Sequence, residues 1–207
     1  MAVDINDDNS LNEKAVNFWE NNKKNIILVG ILFVAIYLTL NFYFASQQKS
    51  HFLASEIYQK IQLEFRDNDI EVLVTELKNK YSNSPYAGRS SLIFAQTLFE
   101  KDNLEAALNE YDWVITNSKE KSIQSLALYS KAKLYLLNKE FDLAENTTNL
   151  IDSKGFEGLK NYLLGDIYVL KKNNEKAKNF YEVAFNFYAN KNDLSKVIKT
   201  KIDSIGN

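Results

Sequence analysis

The sequence predicts an all-α chain in which a single N-terminal transmembrane helix is followed by an α-solenoid of stacked antiparallel helix pairs. Three observations predict it. Twenty consecutive residues, Ile26 to Ala45, carry no charge. The 207 residues include only six glycines and one proline and are rich in Leu, Ala, Glu and Lys, so little interrupts helices. Beyond the uncharged run, a small residue stands twelve positions before an alanine three times over.

The uncharged run, broken only by Thr39 and Asn41, spans about 30 Å as a helix, one bilayer core. An export signal would have a shorter apolar region and small residues at its exit, whereas this one leaves through Phe42, Tyr43 and Phe44. A buried core helix would be shorter and keep a polar face. The run therefore reads as a retained anchor in the lipid bilayer, residues 26–45. Lys14, Lys23 and Lys24 before it, against Lys49 and Lys60 in the first 20 residues after it, favour a cytoplasmic N-terminus. Residues 1–25 then form a short cytoplasmic segment. Within it Leu11, Ala15, Phe18 and Trp19 share a helical face, and Ser10 with Glu13 reads as a capping box opening a small amphipathic helix.

Residues 46–207 read as one domain on the other side. The chain holds 25 basic and 27 acidic residues; three and five of these precede the span, leaving 22 of each in the domain. That balance, with no basic block, argues against nucleic acid. With no cysteine, disulfides, thiolate chemistry and cysteine-ligated zinc are all excluded, and the fold must be held by packing.

The repeat carries the domain's architecture. The small-residue pairs are Ala95 with Ala107, Ala132 with Ala144, and Gly165 with Ala177, starting 37 and then 33 residues apart. A period near 34 is the tetratricopeptide length, one helix hairpin per repeat. Two helices approach closely only where one presents a small side chain to the other. Turns fall at Lys101-Asp102-Asn103, Asn138-Lys139 and Lys172-Asn173-Asn174, all polar. Leu98, Tyr135 and Tyr168 follow the small position by three; Tyr111 and Tyr181 follow the alanine by four, where the middle repeat has Thr148 and so is expected to pack more loosely. Ser46 to Arg66 and Ile70 to Tyr81 read as a divergent first pair. Ser84 caps and Pro85 opens the next helix, and Leu194 to Ile205 closes the stack. Asn146-Thr147-Thr148 matches a glycosylation acceptor but falls inside a helix.

Catalytic signals are missing. The single histidine, His51, has no partner in sequence, the acidic pairs Glu105/Glu110 and Glu140/Asp142 suit helix starts and polar faces, and no phosphate loop, HExxH or GxSxG occurs. Neither an enzyme nor a cofactor or metal site is expected. In stacked hairpins the first helices line the inner face, so the residues three before and one after the small position are candidates for a partner-binding groove: Leu92 and Gln96, Tyr129 and Lys133, Tyr162 and Asp166.

AVNFWENN before the anchor, SPYAGRSSLIFAQTLFEKDNLEAAL, GFEGLKNYLLGDIYVLKKNNEKA and the ending TKIDSIGN together resemble the ancillary subunit family of the SecYEG translocon. The resemblance runs from about Glu13 onward. It implies a single-pass protein of the bacterial inner membrane with a periplasmic repeat domain. It further implies association with the translocon and with a membrane-anchored periplasmic chaperone of the prolyl-isomerase type, and a role in handing over newly exported client proteins. An adaptor for another envelope assembly or stress-sensing complex would have the same architecture.

Overall fold

A computed structural model describes residues 5–64, 70–188 and 193–205. The elements are α1 (Ile5–Glu64), α2 (Ile70–Lys80), α3 (Pro85–Glu100), α4 (Leu104–Asn117), α5 (Lys121–Leu137), α6 (Phe141–Asn149), α7 (Glu157–Leu170), α8 (Asn174–Tyr188) and α9 (Asp193–Ile205), with a 3-10 turn at Lys154–Phe156. No strand occurs among the described residues. The chain divides into two units, Met1–Lys49 and Ser50–Asn207.

The first unit corrects one expectation. Helix α1 begins at Ile5, so positions 10 and 13 lie inside it and not at its start. No glycine or proline separates Leu11 from Ile26, and the Asn22 side chain donates to the Phe18 carbonyl at 2.9 Å, so its amide stays within the helix instead of breaking it. The uncharged run is thus the middle of a 60-residue helix, long and apolar enough to cross a membrane. Its apolar side chains are exposed.

In the second unit four buried clusters follow one another along the chain. Ala54 and Ile61 of α1 meet Ile70, Val74 and Leu77 of α2 and Ala87 of α3. Ala95, Ala107, Tyr111 and Val114 join α3 to α4, with Ala127 and Leu134 of α5. Ala132 and Ala144 join α5 to α6 beneath Leu163, Leu164 and Ile167 of α7. Tyr168, Ala177, Tyr181 and Ala184 join α7 to α8 beneath Ile198 of α9. Arg66, the expected end of the first pair's leading helix, lies outside the described residues.

The three inter-helix turns share one geometry, which accounts for the spacing of twelve. Asp102, Lys139 and Lys172 adopt φ of 59°, 63° and 60°. This left-handed residue lets the next amide reach back five positions, as in a Schellman motif. Asn103 donates to Leu98 O at 2.9 Å, Glu140 to Tyr135 O at 2.8 Å and Asn173 to Tyr168 O at 2.9 Å. The same three residues then accept the next helix's first bond, from Ala107, Ala144 and Ala177. Three residues from small position to carbonyl, five across the turn and four along the new helix place the small residue and the alanine opposite one another.

Asn103 and Asn173 also cap α4 and α8 by accepting from the Ala106 and Lys176 amides at 3.2 and 3.1 Å. Ser84 holds the N-cap position before Pro85, but its hydroxyl is buried and makes no hydrogen bond.

Candidate partner-binding face

The six inner-face candidates fall into two groups. On α3, Leu92 packs into the cluster around Ala95 and Ala107. Gln96 is exposed, donates to Glu100 at 3.0 Å, and lines a cleft with Gln62, Ile93 and Thr97. On α5 and α7 the structure brings the other four together. Tyr129 is half-buried against Ala132, Ala144, Leu163 and Leu164, and the exposed Lys133 holds its ammonium 5.7 Å from the Tyr129 ring centre. Burial pushes the Tyr129 phenol up to about 12, with Tyr162 and Asp166 adding to the rise.

Tyr162 and Asp166 do not form an open groove, because α9 covers them. Lys201 of α9 places its ammonium 4.6 Å from the Tyr162 ring centre and 5.6 Å from that of Tyr181, and bonds the Asp166 carboxylate at 2.5 Å. The Tyr181 hydroxyl donates to the same carboxylate at 2.5 Å. Burial lowers the Lys201 pKa, yet the bonds to Asp166 and Tyr162 outweigh it and raise it overall. Tyr181 is raised by burial first and then by Asp166. Of the six candidates, Gln96 and Lys133 are thus exposed and Tyr129 half-buried, while Tyr162 and Asp166 are engaged by Lys201.

A parallel set of contacts fixes the outer side. Glu145 of α6 accepts from Lys171 at 2.7 Å and from the Tyr168 hydroxyl at 2.6 Å, bonds that hold its carboxyl below the ordinary range in that order of importance. Tyr168 stacks on Phe180 with ring centres 5.4 Å apart.

Sequence reasoning missed Lys201 and a second small position. Lys201 stands three residues after position 198, where a further 33-residue step from Gly165 lands, so the register itself pointed to it. Seven residues before each small residue stand Gly88, Ser125 and Gly158, all buried. A Cβ on Gly158 would sit 2.5 Å from the Phe187 ring and 2.7 Å from that of Tyr188, so the start of α7 and the end of α8 approach at a bare backbone. Small residues seven apart on one helical face were the available signal.

Among the described residues no three His, Cys, Asp or Glu side chains come together. His51 is exposed on α1.

Comparison with known proteins places this geometry. A family model described as a tetratricopeptide repeat-like domain matches residues 16–207. The chain belongs to that family. The matched region of this tetratricopeptide-like protein begins inside α1, so it takes in the apolar helix as well as the hairpins. Three curated relatives carry the name ancillary SecYEG translocon subunit. The one from Neisseria gonorrhoeae is 25% identical over 192 residues, 91% of this chain and 92% of the relative. That from Buchnera aphidicola is 25% identical over 187 residues, 89% and 96% of the two chains. That from Haemophilus influenzae is 24% identical over 186 residues, 89% and 91%. The tetratricopeptide-like chain thus aligns with these proteins over nearly its whole length, as the motifs around its apolar helix and turns suggested.

Proposed function

We propose that this chain is a non-catalytic, membrane-anchored scaffold that associates with the SecYEG translocon and aids the hand-over of newly exported proteins to periplasmic chaperones. The observation that carries the reading is the joint likeness of apolar helix and hairpins to ancillary translocon subunits over about nine-tenths of the chain. The lysines flanking the apolar run support a cytoplasmic N-terminus and a periplasmic domain in the bacterial inner membrane. Gln96, Tyr129 and Lys133 form the exposed or half-exposed inner face to which an extended segment or a partner's helix would bind through aromatic contact and a few hydrogen bonds. A prolyl-isomerase-type chaperone on the same membrane surface is the partner to which clients would pass.

The test is extraction of the full-length protein from its native membrane in mild detergent, followed by identification of what stays bound. Translocon subunits should be recovered in constant proportion. Their reproducible absence, with a different envelope complex in their place, would overturn the translocon assignment and favour a repeat adaptor serving that complex.

A further inference from the structure

The apolar helix carries polar groups that the helix itself does not satisfy. Thr39, inside the uncharged run, donates its hydroxyl to the Ala35 carbonyl at 2.7 Å. Just beyond it, Gln47 reaches back to the Tyr43 hydroxyl at 3.3 Å. Asn41 and the Tyr37 hydroxyl make no such bond. Asn41 lies four residues inside the end of the run, about 6 Å, and Tyr37 eight residues inside, about 12 Å, both within hydrocarbon. The contrast with Gln47 has a simple cause: asparagine is one methylene shorter and cannot span four residues to a tyrosine hydroxyl. Even a rotamer that gave one amide hydrogen to a carbonyl one turn back would leave the Asn41 oxygen without a donor.

These groups share one stripe. Ile27, Gly30, Val34, Tyr37, Asn41 and Phe44 recur in alternating steps of three and four, the a and d positions of a heptad, with Asn41 at an a position. A shallow apolar groove lined by Ile27, Gly30, Ile31, Val34, Ala35 and Leu38 borders this stripe and shares its first three residues. A Cβ on Gly30 would meet nothing within 4 Å, so no contact within the described chain accounts for a glycine at mid-helix, where it is less favourable than alanine.

We propose that this stripe is a docking seam for a second copy of the chain, the two helices lying parallel with Asn41 against Asn41. Two copies of one chain insert in the same sense, so identical residues meet at identical depth. The amide is its own complement, since each N–H can donate to the other's C=O, and an a-position asparagine paired with its mate sets register and favours two strands. Gly30, three turns away, provides the notch that lets the backbones close. The Tyr37 hydroxyl, one turn from the amide pair, has the facing backbone within its reach.

Because the chain contains no cysteine, a disulfide-linked dimer of the full-length protein can form only through the introduced residue. In native membrane vesicles, oxidation should cross-link Ile27→Cys, Val34→Cys and Phe44→Cys efficiently, but not Leu32→Cys or Ile36→Cys on the other side. Adding Asn41→Leu to the Val34→Cys protein should lower dimer formation roughly three- to thirtyfold, the span of measured intramembrane hydrogen-bond contributions. Thr39→Leu, which removes a self-bonded hydroxyl, should leave it unchanged. Equal yields around the helix, or a yield indifferent to Asn41→Leu, overturns the seam. A photo-reactive probe at position 34 that captures only a different membrane protein overturns the second copy as its occupant.

Discussion

The middle hairpin, α5–α6, and the third, α7–α8, close through the same left-handed turn but fill the space above it differently. In the third, the small residue is Gly165, and the fully buried Tyr181 ring of the partner helix lies directly over it; a Cβ there would sit 2.4 Å from the ring. In the middle pair the position equivalent to Tyr181 is Thr148, whose buried hydroxyl bonds back to Ala144 O at 2.7 Å. The missing volume is supplied by Leu163, Leu164 and Ile167 of the following hairpin. One pair is thus filled from its own second helix, the other from its neighbour, and the twelve-residue spacing records only the turn they share.

The largest expected effect comes from removing the ring that makes the third pair self-sufficient. Tyr181→Ala should cost about 3–5 kcal/mol, as for other buried aromatics, since it empties the space over Gly165 and takes one partner from Asp166. Chemical denaturation with a midpoint close to that of the unchanged protein would show that the ring is dispensable.

Next comes an exchange of design between the pairs. Gly165→Ala gains about 1 kcal/mol of helix propensity but drives a methyl into the ring, and overpacking at about 1–3 kcal/mol should win. Adding Tyr181→Thr recreates the middle pair's combination, so the double variant should be more stable than the sum of its single losses predicts. Strict additivity in a double-mutant cycle would mean that Gly165 and Tyr181 are not complementary.

Alkaline titration should separate the same regions. The raised phenols of Tyr129 and Tyr181 favour the protonated, folded state, so their stabilisation is complete below the ordinary tyrosine value of 10.0. It declines as pH rises through the window above 10.0, which for Tyr129 extends to about 12. Helicity and tyrosinate absorbance should therefore change together, and Tyr181→Phe should lessen the decline. Phenols that ionise near 10.0 with helicity intact would contradict the burial described for them.

Smallest is the effect at the shared turn. Lys139→Gly and Lys172→Gly each relieve a left-handed backbone at some entropic cost, and each should gain about 0.5–1 kcal/mol. Equal increments in thermal melts would establish that the two turns are energetically alike; a loss at either position would count against the turn geometry.

Much of this was legible in the sequence because the turn is a local object. The small residue, the left-handed position and the alanine all lie within one thirteen-residue window, and the left-handed positions carry Asp or Lys where glycine would have been conspicuous. What lay beyond a window was missed. Lys201 reaches Tyr162 and Asp166 from more than thirty residues away, and only the repeat register carried one step past Gly165, not the composition of α9, sets it apart from Lys196 and Lys199. The leucines that fill the middle pair sit in the next repeat. Ser10 and Glu13 failed for the opposite reason: a valid local cap pattern was overridden by a longer helix that runs through it.

The borrowed core of the middle hairpin has a consequence in time. Synthesis proceeds from the N-terminus, so α5 and α6 are made before the segment of α7 that completes them. The interval from Asn149 to Ile167 lasts on the order of seconds at about 5–20 residues per second. During it the α5–α6 hairpin has its turn but not its roof, and the apolar surface around Ala132 and Ala144 stays open until α7 arrives. The third hairpin carries its own ring and has no such wait for its central contact. The nascent domain is therefore most vulnerable to misassociation just after its middle repeat has emerged.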